Sequence, residues 1–392
     1  MSVQPFEVRI DDETLLDLDV RLAATRFLPG DDATDWEAGT SPVYLRQLID
    51  YWRSRYDWSR QAAQLSRFRH FRTMLGGAAV HFIHEPGRGE APLPLVLTHG
   101  FPDSFVRFVK LIPLLADPVN HGGDARDAFH VVVPSLPGFG FSDPPDRHGD
   151  IFHVADRWHE LMTRELGYER YAAHGGDWGS TVTERIGRDH AASVVGIHLT
   201  DVPFAHTFTR PDDPSPAEAE YLAGIEAFQA GDGAYAMLQG HRPQTLADGL
   251  NDSPAGLAAW LVQFFQRWSD CDGDIEKRFT KDELLTNAMI YWATGTIGSS
   301  FLPYYDVLHA GAARWAIEKA RDWVGSSKVP AGFAMFPKDV SHPPREWAER
   351  FFRVERWTQM PRGGHFAALE EPELLAEDIR AFFRPLRAAA LH

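Results

Sequence analysis

The sequence predicts an α/β fold: a mostly parallel central sheet flanked by helices, with a helical cap insertion late in the chain and a helical N-terminal extension. Three observations carry this prediction. Short apolar runs ending in Gly- or Pro-containing turns alternate with helix-like stretches over residues 76–205, and the same alternation returns over 326–392. Strands that alternate with helices build parallel βαβ units, and parallel strands buried on both faces read as near-continuous apolar runs. Between those two blocks, residues 206–325 carry helical stretches and few strand-like runs.

In chain order, residues 1–75 are aromatic-rich and read as mainly helical. Tyr44, Leu48, Tyr51, Trp52 and Arg55 fall near helical spacing, and the stripe of Tyr51, Trp52 and Trp58 reads as a packing face. The block 76–205 offers strands in AAVHFIHE, LPLVLTHG, FHVVVPSLPGFGFS, YAAHGGDWGS and SVVGIHLTD, with a helix opening at STVTERIGRDH. The insertion 206–325 begins with a Pro/Asp loop. That loop opens RPDDPSPAEAEYLAGIEAFQ, which continues as a helix, and further helices follow around GLAAWLVQFFQRW and ELLTNAMIYWATGTI. The closing block 326–392 supplies strands at VPAGFAMFPKD and VERWTQMP and a final amphipathic helix, ELLAEDIRAFFRPL.

With 392 residues, the chain exceeds the size at which one core stops growing, which suits one large domain with an insertion. A formal charge of −16, dispersed along the chain, repels phosphate backbones and argues against a nucleic-acid partner. No apolar run reaches the roughly 18 residues of a membrane span, and the N-terminus has no signal-peptide pattern. The lone cysteine, Cys271, cannot form an internal disulfide, which fits a reducing compartment, and its polar stretch SDCDGD reads as packing or surface. A soluble, cytoplasmic protein is expected. A homodimer is compatible with the sequence but signalled by no motif.

The chemistry centres on Gly175-Gly176-Asp177-Trp178-Gly179, between a strand and a helix. This is the form of a nucleophile elbow, Gly-x-nucleophile-x-Gly, the mark of the α/β-hydrolase fold. Small residues are needed because the turn crowds its own backbone. An aspartate stands at the nucleophile position, where esterases carry serine. A carboxylate is already ionised at neutral pH and attacks an sp³ carbon without a base. Asp339, after one late strand, and His365, after the next, complete the order nucleophile, acid, histidine expected of this fold. Asp201, after SVVGIHLT, competes with Asp339 for the acid's place. The loop His99-Gly100-Phe101-Pro102 follows another strand, so the main-chain N–H groups of Phe101 and Trp178 are the expected oxyanion-hole donors.

The segments HGFPDSF, GGDWGS, LNDSPAGLAAW, YWATGTIGSS and PRGGHFAALEEPELL resemble the epoxide hydrolase family of the microsomal and juvenile-hormone type. PFEVRIDDETLLDLDVRLAATRF and YLRQLIDYWRSRYDW are similar to that family's N-terminal segment, so the resemblance runs almost the whole chain. It departs at Asp103, where many members have Gly. It departs also in lacking the N-terminal anchor of the membrane-bound members, which implies a soluble bacterial-type member. The resemblance implies an epoxide opened to a vicinal diol through an ester on Asp177, which water activated by His365 then hydrolyses. It further implies two cap tyrosines on the epoxide oxygen, Tyr235 and Tyr304, with Tyr305 adjacent to the second. A phenol of pKa about 10 can stabilise or protonate a leaving alkoxide. The implied partners are a small-molecule epoxide and water.

No cofactor and no metal are expected. His81 and His84 are three apart on a strand and face opposite ways, and no metal-ligand spacing occurs. The glycines of PGFGFS lack the Lys-Ser/Thr of a phosphate loop, so a loop lining the active site is the expectation. A haloalkane dehalogenase would use the same Asp and His, but has a side-chain amide where Phe101 stands. A non-catalytic binding protein on this fold would be expected to lose part of the constellation. The Phe- and Trp-rich insertion suits a bulky apolar or aromatic epoxide.

Overall fold

The computed structural model describes residues 3–29, 32–145, 150–309 and 327–390. Nine strands among them form one sheet: β1 (Gln4–Pro5), β2 (His70–Leu75), β3 (Ala78–Glu85), β4 (Leu93–Thr98), β5 (Phe129–Pro134), β6 (Tyr171–Gly175), β7 (Val194–Leu199), β8 (Pro330–Met335) and β9 (Arg353–Gln359). Their spatial order is β1-β2-β3-β5-β4-β6-β7-β8-β9. From β5 to β9 all pairings are parallel, and β1, β2 and β3 add an antiparallel flank. Every residue of β6 and β7 is buried, which is why these strands read as unbroken apolar runs.

β2 lies inside the segment read as mainly helical. Its Phe71, Arg72 and Met74 are only partly covered or exposed, so no clean alternation marks it. What makes it a strand is a hairpin. Gly76 and Gly77 both take positive φ, 58° and 93°, and pair Leu75 with Ala78. That Gly-Gly pair was the signal available in the sequence.

The strand order reverses around β4, the first strand of the parallel set, whose neighbours β5 and β6 lie on either side. Ligands of open α/β sheets bind beyond the carboxyl ends of the strands at such a switch point. The loops leaving β4, β6, β7 and β8 carry Phe101, Asp177, Asp201 and Asp339 respectively.

Between β7 and β8, the described chain is helical. Four of the starts are chemically marked: Pro216, Pro243 and Pro254 open helices, and Ser215 and Thr280 form capping boxes with Glu218 and Glu283. The expected boundary near residue 325 lies outside the described residues. No described helix is long and apolar enough to cross a membrane.

The N-terminal helices Asp12–Ala23, Pro42–Ser54 and Trp58–Leu65 pack on two helices of this insertion, Pro254–Arg267 and Lys281–Thr294. Leu48, Ile49, Trp52 and Trp58 are buried there. Polar ties add direction: the Tyr51 hydroxyl donates to Asp282 (2.9 Å), Gln61 to the other oxygen of Asp282 (3.0 Å), and Arg21 to Asp252 (2.6 Å). Cys271 is buried, with its thiol on the Gln266 carbonyl.

One buried carboxylate joins the helix Pro372–Phe383 to the sheet. Asp378 Oδ2 meets His198 Nε2 of β7 at 3.0 Å, and Oδ1 accepts from Arg356 and Thr358 of β9. Burial alone would raise its pKa, but His198, Arg356 and Thr358 hold it well below the usual carboxylate range. Asp378→Ala leaves these donors without an acceptor and is expected to cost about 3 kcal/mol of stability, read from the urea midpoint. A loss under about 1 kcal/mol would contradict this assignment.

Candidate active site

Asp177 sits at φ 57°, ψ −129°, a conformation that L-residues rarely adopt and that costs roughly 1–3 kcal/mol. The glycines around it are obligatory on contact grounds. A Cβ on Gly176 would lie 2.3 Å from Thr200 Oγ1, and one on Gly179 would lie 2.0 Å from the Thr98 carbonyl oxygen. Asp201 braces the bend. Its Oδ1 accepts the Asp177 N–H (3.0 Å) and its Oδ2 accepts the Ser180 hydroxyl (2.8 Å). The helix Trp178–Asp189 begins at the next residue, so partial positive charge faces the carboxylate.

Asp177 Oδ1 accepts the Phe101 N–H at 2.8 Å, and the Trp178 N–H also supports the carboxylate. Both expected oxyanion donors therefore converge on this side chain. Its Oδ2 lies 3.7 Å from His365 Nε2. Burial raises the Asp177 pKa; the His365 charge and the two N–H groups oppose that rise without cancelling it.

His365 is buried, with Nδ1 2.8 Å from Asp339 Oδ1. Asp339 Oδ1 also accepts the Val340 N–H (2.6 Å), and the His365 N–H donates to the Trp268 carbonyl (2.8 Å). Burial would lower the imidazole pKa, but the charge and hydrogen bond of Asp339, helped by Asp177, raise it to about 9. Asp339 is itself lowered: the His365 charge and hydrogen bond, with the Val340 N–H and the Arg107 charge, outweigh its burial. Among the described residues Nε2 has no hydrogen-bond partner, and it is buried beside the carboxylate. Of the two competing acids, Asp339 meets the imidazole and Asp201 meets the elbow. Burial, with the Asp339 charge, raises Asp201 to about 7.

Tyr235, on the helix Ala234–His241, and Tyr304, on the helix Leu302–His309, both line a cavity of about 390 Å³ that contains Asp177, Asp339 and His365. Their rings meet edge-on at 5.8 Å, and their hydroxyls interact with each other. Burial, with the Asp177 charge, pushes both phenols up, so they are protonated donors at neutral pH. Tyr305 faces elsewhere and stacks on His309 at 4.3 Å. The remaining walls are mostly apolar, among them Trp178, Trp268, Phe228 and Phe208.

The loop PGFGFS is not among the cavity-lining residues, contrary to expectation. Phe139 packs instead against the His99 ring (5.4 Å) and Tyr291 (6.4 Å), and the Gly138 carbonyl accepts the Ser299 hydroxyl. The loop thus supports the segment His99–Pro102 from behind. His99 is locked there, with Nε2 accepting the Leu136 N–H (3.1 Å) and Nδ1 facing the Gly100 carbonyl (3.0 Å). Burial depresses its pKa to about 4, so the ring is neutral. His81 and His84 make separate contacts, to His70 with Ser135 and to Tyr168. Among the described residues no group of three His, Cys, Asp or Glu could hold a metal ion.

Sequence reasoning missed two parts of the site. Trp268 forms a wall and packs edge-on against His365 (5.3 Å) and obliquely against Tyr235 (5.2 Å), at the end of a helix that carried no site motif. Arg107 is buried beneath the constellation, paired with Asp103. Its signal was present: an acid and a base four residues apart inside an apolar run.

Residues 3–108 match the family model described as epoxide hydrolase N terminus, and residues 94–230 match the alpha/beta hydrolase fold. Epoxide hydrolase 1 of Sus scrofa is 37% identical, over 97% of this chain and 88% of that protein. A Stigmatella aurantiaca protein, named as a candidate epoxide hydrolase, is 43% identical over 99% of this chain and 86% of its own length. Among solved structures, the epoxide hydrolase of Aspergillus niger is 29% identical with a TM-score of 0.84, covering 98% of this chain and 97% of that one.

Asp339→Asn removes the largest influence raising the His365 pKa. Burial then dominates, and the imidazole titration followed by NMR is expected to fall from about 9 to below its unperturbed value. A value still near 9 in that variant would contradict the arrangement.

Proposed function

The chain belongs to the epoxide hydrolase family, and from that premise we propose that Asp177 is the covalent nucleophile, His365 the base oriented by Asp339, and Tyr235 and Tyr304 the acids. The reaction is the hydrolysis of an epoxide. One observation carries the assignment of roles: a carboxylate with one oxygen on the Phe101 N–H and the other 3.7 Å from an imidazole nitrogen that has no hydrogen-bond partner among the described residues, in a cavity shared with two protonated phenols.

In the first step an Asp177 oxygen attacks an epoxide carbon. The C–O bond of the ring breaks, an ester C–O bond forms, and a phenol gives its proton to the departing alkoxide. Ester formation removes the negative charge of Asp177, one of the influences that raise the His365 pKa. The imidazolium then yields its proton to solvent more readily and becomes a base where it is needed, and it regains a proton from solvent once the Asp177 carboxylate is restored. In the second step His365 takes a proton from water, and the hydroxide adds to the Asp177 ester carbonyl. The oxyanion is held by the N–H groups of Phe101 and Trp178, the donors already on that side chain. Collapse breaks the ester. The imidazolium and the regenerated carboxylic acid return protons to the product alkoxide and the tyrosine, and the vicinal diol leaves.

The helices of residues 206–325 serve in this reading as the cap that presents the tyrosines, and residues 1–75 as its brace. The aromatic walls suit a bulky apolar epoxide. The cytoplasm is the proposed compartment, supported by a lone cysteine with no disulfide partner in the sequence.

A single turnover in ¹⁸O-water is expected to place solvent oxygen in Asp177 and none in the diol. A labelled first diol would overturn the covalent scheme. His365→Gln is expected to accumulate a mass adduct on Asp177, and substrate loss without an adduct counts against it. The rate of ester decay should fall with decreasing pH, with a midpoint below the resting value of about 9. A midpoint at or above 9 would contradict the release of the imidazole on ester formation. Tyr304→Phe should slow ester formation by about 10²-fold or more, while Tyr305→Phe leaves it within a few-fold. Equal effects would sink the choice between them.

A further inference from the structure

Beneath the site lies a charged pair that the reaction above does not use. Arg107, in the turn Phe105–Phe108, and Asp103 are both buried, at 2% and 0% exposure, where an unpaired charge would be costly. Arg107 Nη1 donates to Asp103 Oδ2 at 2.6 Å. Asp103 Oδ1 in turn accepts the Gly100 N–H at 3.2 Å, inside the loop that presents the Phe101 donor. The other nitrogen, Nη2, donates to the main-chain carbonyl of His365. The guanidinium also lies over the Phe366 ring at 5.9 Å. A Cβ built on Gly176 would stand 3.1 Å from Nη2, so the same group abuts the elbow.

We propose that Arg107 is a positioning residue for ester hydrolysis, a single guanidinium that sets the oxyanion loop, the elbow and the histidine loop in one register, with Asp103 as its built-in counter-ion. Asp103 stands where many members of the resembled family have Gly, and here it supplies a fixed acceptor for Arg107 and the Gly100 N–H. The planar fork of arginine suits the task, since two of its nitrogens serve two loops at once. Lysine, a single point donor, cannot hold both.

The charge has a second effect. The groups facing His365 are Asp339 after β8, Asp177 on the elbow, Asp201 after β7, and Arg107. Glu370 lies one turn further on, accepting the Phe366 N–H. Asp339 and Asp177 favour the imidazolium and Arg107 disfavours it. Arg107 is thus the cation that helps return the imidazole to its basic form.

This inference rests on the covalent scheme and deepens it. Rapid-quench single turnovers separate ester formation from ester decay across pH. Arg107→Met is expected to slow decay at least tenfold more than formation, and to move the pH midpoint of decay up by about one unit. Asp103→Asn keeps the cation and removes its counter-ion, so the midpoint should move down. Arg107→Lys should retain the wild-type midpoint and lose decay rate. Opposite shifts in Met and Asn variants are something loss of structure alone does not produce. If Arg107→Met does not fold, the Asn and Lys variants carry the same test. Equal slowing of both steps with an unmoved midpoint overturns the role of Arg107. Absence of an ester in wild type and in His365→Gln overturns the covalent scheme itself, so the two failures are distinct.

Discussion

The interaction on which the rest of the structure depends is the hold on one carboxylate. Asp177 stands at a positive-φ bend, buried, with an oxygen on the Phe101 N–H. Both strain and desolvation oppose that placement, and each is met by a separate device. The strain is contained by three close-packed glycines and by Asp201, which accepts from the bend and from Ser180 together. The desolvation is offset by main-chain N–H groups and by an imidazole close enough to matter electrostatically but not hydrogen-bonded to the carboxylate. A tighter contact would tie the carboxylate up in an ion pair, whereas a looser one would let burial raise its pKa further.

The sheet serves this arrangement by geometry. Four consecutive parallel strands in space, β4, β6, β7 and β8, end at one edge, and each delivers one functional group there. The helical insertion closes the space above with Tyr235, Trp268 and Tyr304, and the N-terminal helices fasten the insertion through buried aromatics and the carboxylate of Asp282. The extension therefore acts at a distance. It backs the helix Pro254–Arg267, which ends at the cavity wall Trp268, while Tyr235 and Tyr304 stand on other helices of the insertion.

Much of this was legible in the linear chain. The Gly-x-Asp-x-Gly turn, the order of acid and histidine after late strands, and seven of the described strands carry local signals, because each depends on crowding or burial that restricts residue type at adjacent positions. β2 was hidden because its exposed face carries Arg72 and Met74, and only the glycine pair of the hairpin betrayed it. The PGFGFS loop was misplaced for a related reason. Glycine-rich turns mark where backbone must pass closely, and here the close partner is Ser299 of the insertion and the His99 loop, not a ligand.

The sequence by itself determined which residue types could do the chemistry and in what order the strands would deliver them, since elbow crowding and strand burial are local constraints. Only the tertiary structure decided between equals: Asp339 over Asp201 at the imidazole, Tyr304 over Tyr305 in the cavity, and Arg107 as the cation beneath three loops. Those choices turn on side-chain direction and on contacts between segments up to 258 residues apart. No local preference encodes them, because packing settles them only when the whole sheet and its cap have come together.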